Sequence, residues 1–306
     1  MIFNKNNNGS RELRELTGNY YATNDFSKIT GEINAATDEI IELISQPVYA
    51  TIEGYYKSDA SDQADIIRKL QRPIALLATL RLYQKNDLSH EDSGRKVKLD
   101  QDNEKLPWQW QLDRDDAIHL EEYYKAVDIL IRALNSSDIQ QWKSSKAYKQ
   151  SQQLIIRNGE SFESYFPIQR SERTYLLLVP FIREVQKLQV ERAYGAGWSA
   201  LLTEDNDDET AAHYAACKAV ALLAMSTALR RNQLQLIPAG VIRTYVAESG
   251  AMNSTPATLA DIRLLAEWMA DDAATWIDEM KRARDGATVE RNIMPNNDPR
   301  NKFMRL

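Results

Sequence analysis

The chain has 306 residues, of which 43% are hydrophobic and 27% charged, with 38 basic and 44 acidic side chains. This composition is typical of a folded globular protein and excludes a wholly disordered, collagenous or coiled-coil chain. The net charge of −6 provides no general basic surface for phosphate contacts, so sequence-specific nucleic-acid binding is not expected. A single cysteine excludes an intramolecular disulfide, and no apolar stretch of about 20 residues predicts a membrane span.

Three amphipathic helices are predicted in the first half of the chain. Apolar residues recur every three or four positions over residues 29–48, 66–80 and 120–134, the spacing that places them on one helical face. Pro47 interrupts the first pattern and is expected to kink or end that helix. The second pattern is apolar around much of its circumference, so we expect its helix to be central. Asp113 is expected to start the third helix.

Between the second and third helices, the pattern favours a β-hairpin. Apolar and polar residues alternate at Val97 and Leu99, and again at Trp108 and Trp110, on either side of the polar run 100–105. Alternation with a period of two is the spacing of a β-strand. We therefore expect a hairpin that projects from the helical body.

The second half repeats the same order of elements. Helical spacing is predicted over residues 175–202, 210–232 and 256–284. Between the last two patterns, a shorter stretch alternates at Val241 and Tyr245, which favours one short strand or an ordered loop.

Self-similarity at a shift of 146 positions connects the two halves. The letters ALLA occur at residues 75–78 and again at 221–224, and the same shift places Asp115 on Asp261. We therefore predict a mainly α fold, a tandem duplication of a three-helix unit with a short β-hairpin or strand excursion between helices 2 and 3 of each unit. The predicted domains are a first helical repeat (1–137), a polar linker (138–153), a second helical repeat (154–286) and a flexible C-terminal tail (287–306).

Residue types that carry catalysis or bind metals show no recognised spacing in this sequence. His90, His119 and His213 are widely separated, and Cys217 lies in an Ala-rich helical pattern, where a thiol usually packs as a small buried group. The glycines of YGAGW at 194–198 lie within a helical pattern, which favours close helix packing over phosphate binding. We therefore predict no catalytic residue, no cofactor, no metal and no enzymatic activity.

The order of elements resembles that of a known class of phage proteins. The run IALLATLRLYQKNDLSHEDSG, an apolar helix that leads into a polar excursion and another amphipathic helix, is similar to small helical head-to-tail connectors of tailed phages. The segments IFNKNN, NDLSHEDSGRKVKLD, LPWQWQLDRDDA and IRALNSSDIQQW also resemble a family of Bacteroides prophage proteins with no assigned activity. These resemblances imply a noncatalytic adaptor that meets portal, tail or further copies of itself in a homo-oligomeric ring. The single cysteine favours a cytoplasmic location in the host cell, and the resemblances imply a location in the virion as well.

The candidate interface residues for subunits or partners lie in the two excursions. They are Asp87, Val97, Leu99, Trp108, Trp110, Val241 and Tyr245. Tryptophans on one face of a projecting element can anchor a partner, and packing of the hairpin base on its own domain explains them equally. The main alternative function is a cellular helical-repeat adaptor that binds a protein between its halves, and an unrecognised enzyme is the third.

Overall fold

The computed structural model describes residues 1–18, 25–87, 89–91, 94–96, 108–203, 210–231, 242–246, 252–256 and 258–286. The described residues are mainly helical, which confirms the mainly α part of the predicted fold, and the chain divides into two compact units. Unit 1 comprises Met1–Ser151 and Ser171–Arg173, and unit 2 comprises Gln152–Arg170 and Thr174–Leu306.

The helices before residue 153 pack around one long, largely buried helix. They are α1 (Gly9–Thr17), α2 (Thr30–Ile44), α3 (Gln46–Lys57), α4 (Ala64–Asn86), α5 (Gln109–Asn135), α6 (Gln140–Lys143) and α7 (Lys146–Gln152). As predicted, α4 is central, because it contacts α1, α2, α3 and α5. Pro47 acts as expected: α2 ends at Ile44, and the proline lies in the first turn of α3, where its missing N–H costs nothing.

The first residues of the chain also pack into unit 1, which the sequence pattern did not predict. Ile2 and Phe3 are buried, and the side-chain amide of Gln71 donates a hydrogen bond to the carbonyl of Ile2 at 2.7 Å. The Tyr56 hydroxyl donates to the carboxylate of Glu12 on α1 at 2.7 Å. This short segment is therefore held by buried apolar side chains and by specific polar contacts.

Residues 138–153, predicted from composition as a polar linker, contain α6 and α7 and a buried aromatic side chain. Trp142 is 1% exposed, and its indole N–H donates to Oδ1 of Asn135 at 2.9 Å. Helix α6 contacts α3 within the same unit. The segment thus contributes apolar area to the core of unit 1.

Unit 2 is built from α8 (Gly159–Glu163), α9 (Glu172–Val185), α10 (Glu191–Tyr194), α11 (Trp198–Leu201), α12 (Ala211–Arg231) and α13 (Leu259–Arg284). A π-helix at Gln186–Val190 connects α9 to α10. The single helix predicted over 175–202 is therefore wrong in its second part. Gly195 and Gly197 have φ values of 75° and 96°, so they break the helix through positive φ and do not serve close helix packing.

Helix α12 forms the core of unit 2, and its strongest packing partner is α13. By length and composition α12 could cross a membrane. However, 83% of its most apolar stretch of 18 residues is buried inside the unit, as in a core helix. Cys217 on α12 is buried, as predicted. Its Sγ lies 3.8 Å from the ring nitrogens of His213, one turn away and equally buried.

A short antiparallel strand pair lies between the long helices of each unit. β1 (Ser89–Glu91) pairs with β2 (Gly94–Lys96), and β3 (Ile242–Val246) pairs with β4 (Met252–Pro256).

The alternation at Trp108 and Trp110 does not form a strand, so that prediction is wrong. Trp108 is the N-cap of α5, and its backbone N–H donates to Oε1 of Gln111 at 2.9 Å. This contact satisfies a free donor at the start of the helix, and α5 consequently begins four residues before Asp113. In unit 2 the start is also displaced, because Thr258 caps α13 and Pro256 ends β4.

Candidate docking surfaces on the two units

Unit 1 exposes three large apolar side chains at the start of α5. Trp108 is 72% exposed, Trp110 58% and Ile118 47%. Trp110 and Ile118 lie two turns apart on one side of the helix, the side opposite to the buried residues that begin at Tyr123. We call Trp108, Trp110 and Ile118 the tryptophan patch. Exposed tryptophans in a group are typical of protein interaction sites.

The tryptophan patch has acidic surroundings. Residues 109–122 of α5 carry five carboxylates and one arginine. Asp116 accepts a hydrogen bond from the side-chain amide of Gln84 at 2.9 Å. Asp87 follows α4, and partial burial together with repulsion from Asp116 raises the pKa of its carboxyl group above the ordinary value. The surface around the patch is therefore crowded with negative charge.

The first turns of α5 are held against the end of α4 by an aromatic contact. The rings of Tyr83 and His119 meet edge to face, with their centroids 6.2 Å apart. Nε2 of His119 lies 3.5 Å from a carboxylate oxygen of Asp115, one turn earlier on α5. These contacts hold the first turns of α5, and with them Trp108 and Trp110, in a fixed orientation relative to α4.

Unit 2 has a cleft where α12 ends and α13 begins. Its volume is about 320 Å³, and it is lined by Leu229, Arg230, Leu259, Ile262, Arg263 and Glu267. We call these six residues the arginine cleft. Thr258 fixes the start of α13 beside the cleft, because its Oγ1 accepts from the N–H of Asp261 at 3.2 Å.

The two arginines of the cleft differ from their neighbour Arg231. Both nitrogens of the Arg231 guanidinium donate to Glu184, at 2.6 and 2.8 Å. Arg230 and Arg263 are exposed, and neither forms an ion pair with any residue in the described ranges. Guanidinium groups of this kind bind carboxylates with charge-assisted hydrogen bonds.

The predicted interface residues fall into two groups. Asp87, Trp108 and Trp110 are exposed and lie near one another in the chain, at the end of α4 and the start of α5. Tyr245 lies on β3, paired with Asn253. Val97, Leu99 and Val241 lie outside the described residues.

Sequence reasoning missed the arginine cleft. A signal was present, because Leu259, Arg263 and Glu267 recur every four residues and therefore share one face of α13. Ile118 was also missed, although it lies outside the apolar periodicity that leads to the buried face of α5. Among the described residues, no group of three or more His, Cys, Asp or Glu side chains is placed to hold a metal ion.

Comparison with known proteins identifies a family. The model of a family of unknown function, DUF6712, matches residues 34–152 and 186–283, which together are more than half of the chain. No curated protein and no solved structure matches the chain.

Proposed function

The chain belongs to the DUF6712 family of unknown function, and we propose that it is a noncatalytic structural protein of a phage or prophage, a head-to-tail connector. One observation carries this proposal. Each unit exposes large apolar side chains near the start of its long helix: Trp108 and Trp110 at the start of α5, and Leu264 and Trp268 on α13. Surfaces of this kind on both units suit a protein that contacts more than one neighbour.

The proposal includes a tandem duplication. A shift of 146 positions places α4 on α12 and α5 on α13, each with its strand pair between the helices. Fully buried positions correspond under this shift although their residues differ: Leu70 and Ala216, Ile74 and Val220, Val127 and Ala273, Leu134 and Met280. These positions agree in burial although their residues are not identical. This agreement supports the descent of both units from one helix pair over a chance similarity between Ala-rich helices.

A duplicated chain has a direct consequence for assembly. Two related units in one chain present related surfaces twice, so each chain can contact one neighbour through each unit. Closed rings arise when such contacts repeat with a fixed rotation. In this proposal the protein acts through protein partners, in the host cytoplasm and in the virion, with no catalytic residue.

Native mass by light scattering tests the proposal, with purified chain over a concentration series. A connector is expected to give one discrete species whose mass is a multiple of 35.0 kDa, the mass of the chain. Negative-stain electron microscopy of that species should show a closed ring. The proposal is refuted if the protein stays at the single-chain mass at every concentration and also fails to bind the portal protein encoded in the same genome.

A paired set of variants links the assembly to the exposed tryptophans. Trp108→Ser/Trp110→Ser should lower the native mass, because it removes two exposed apolar anchors. Leu177→Ser/Leu188→Ser is the matched control, since these leucines are also exposed but lie outside the proposed surface. Equal loss of mass in both double variants would contradict a role for the tryptophans.

A further inference from the structure

We infer that the tryptophan patch of one copy docks into the arginine cleft of a second copy of the chain. This inference rests on the proposed function, because it names the surfaces through which a self-assembling connector would associate. The contact joins two different surfaces, so each copy offers one donor surface and one acceptor surface.

Electrostatic complementarity supports this pair of surfaces. The patch is embedded in a stretch of α5 with five carboxylates and one arginine, and Asp113 lies one turn from Trp110. The cleft offers Arg230 and Arg263, whose guanidinium groups have no ion-pair partner among the described residues, against the single carboxylate of Glu267. Opposite charges at two surfaces steer association and select the partner.

Size and apolar character also match. Leu229, Leu259 and Ile262 give the cleft an apolar lining, and its volume of about 320 Å³ lies within the range of about 300–1,000 Å³ typical of small-ligand pockets. One indole side chain fits such a space. A guanidinium over the indole face adds a cation–π contact, and arginine with tryptophan is the favoured combination. The cleft therefore suits Trp110 better than an aliphatic side chain.

In the proposed duplication, two apolar residues of the cleft take the positions of two carboxylates beside the patch. Under the shift of 146 positions, Leu259 and Ile262 of the cleft correspond to Asp113 and Asp116 beside the patch. Arg263 corresponds to Ala117. The same place is thus acidic in unit 1 and basic with apolar residues in unit 2. Identical copies of one charged surface would repel each other, whereas this divergence makes them attract.

Charge reversal tests the inference by light scattering on the full chain. The cleft variant Arg230→Glu/Arg263→Glu and the patch variant Trp108→Ser/Trp110→Ser should each weaken self-association by about 30-fold or more, the effect of losing an interface hot spot. Arg192→Glu, another exposed arginine of unit 2, is the control and should leave the native mass unchanged. Circular dichroism should show that every variant retains its helical content.

Mixing the two variants gives the sharper result. Each variant alone lacks one half of the contact, but a patch variant still has an intact cleft and a cleft variant an intact patch. The mixture should therefore form pairs of chains, while each variant alone stays at the single-chain mass. A second check pairs Asp113→Arg with Arg263→Asp in one chain, which should restore assembly lost in either single variant.

The outcomes separate this inference from the proposed function. Assembly of the wild-type chain that survives charge reversal at the cleft overturns the inference and leaves the connector proposal in place. A wild-type chain that remains single at every concentration also overturns the inference, and binding to the portal protein then decides the proposed function.

Discussion

Replacing Trp142 with alanine tests whether residues 138–153 belong to the core of unit 1. The side chain is 1% exposed, its indole N–H donates to Asn135 at 2.9 Å, and its ring meets Tyr148 with the centroids 6.2 Å apart. A buried aromatic side chain removes roughly 150–250 Å² from water, which at about 25 cal/mol per Å² is worth about 4–6 kcal/mol as an upper bound. Because core Trp→Ala changes cost about 3–5 kcal/mol, we expect Trp142→Ala to lower the free energy of unfolding by about 4 kcal/mol.

Urea unfolding followed by far-UV circular dichroism is the assay, since loss of an indole changes the fluorescence by itself. The transitions of the two units are fitted separately, because two units need not unfold together. Ile129→Ala is the control: this side chain is 41% exposed and lies outside the tryptophan patch, and its removal should change the unfolding free energy by about 0.5 kcal/mol or less. An equal effect of the two substitutions would refute the burial argument and make 138–153 a linker.

For four further substitutions or titrations, the structure predicts the direction of the change in stability or pKa. Burial raises the pKa of Asp128, so stability should fall as pH rises from 3.8 through its folded pKa, and Asp128→Asn should flatten this dependence in urea unfolding. Burial raises the pKa of Tyr123 to about 12, so its ionisation in a spectrophotometric titration should occur well above 10.0 and stability should fall across that interval. By thermal unfolding, Gly197→Ala should destabilise unit 2 by about 1 kcal/mol because of its positive φ. Gly54→Ala, within α3 and with open space at Cβ, should stabilise unit 1 by about 0.5–1 kcal/mol.

A contrary result is defined for the predictions at Asp128, Tyr123 and Gly197. An unchanged pH profile in Asp128→Asn would show that another group carries the dependence, since asparagine can still accept from the Ser171 hydroxyl and the Arg173 N–H. Ionisation of every tyrosine near pH 10 in the folded protein would contradict the burial of Tyr123. Neutral effects at Gly197 would mean that the break between α10 and α11 tolerates a side chain.

Helices that bury many side chains could be predicted from the sequence, whereas helices that bury few side chains could not. α4 and α12 bury side chains on most of their surface, so their apolar spacing is unmistakable. α1 buries only Gly9 and Leu13, so a period could not be recognised in nine residues. The π-helix at Gln186–Val190 was also missed. Its wider turn does not change how many residues of the segment are apolar, so the composition gives no sign of it.

The candidate site shows where pattern reasoning misleads. Trp108 and Trp110 alternate with polar residues as in a strand, but neither is buried, so their spacing carries no information about a packed face. The start of the helix is fixed instead by Gln111, whose side-chain oxygen accepts a hydrogen bond from the N–H of Trp108. The sequence left open whether the tryptophans are exposed, and their predicted secondary structure was wrong.

The proposed contact between copies of the chain gives a reason for the exposed apolar surface at the start of α5. In a protein that works alone, exposed tryptophans are a liability for aggregation, and substitution by polar residues would cost the fold nothing. Unit 1 exposes Trp108 and Trp110 beside acidic residues, whereas unit 2 has Arg230 and Arg263 at an apolar cleft. A requirement for contact between different copies accounts for both features at once. Solubility alone accounts for neither, because it would favour a mixed, uniformly charged surface on both units.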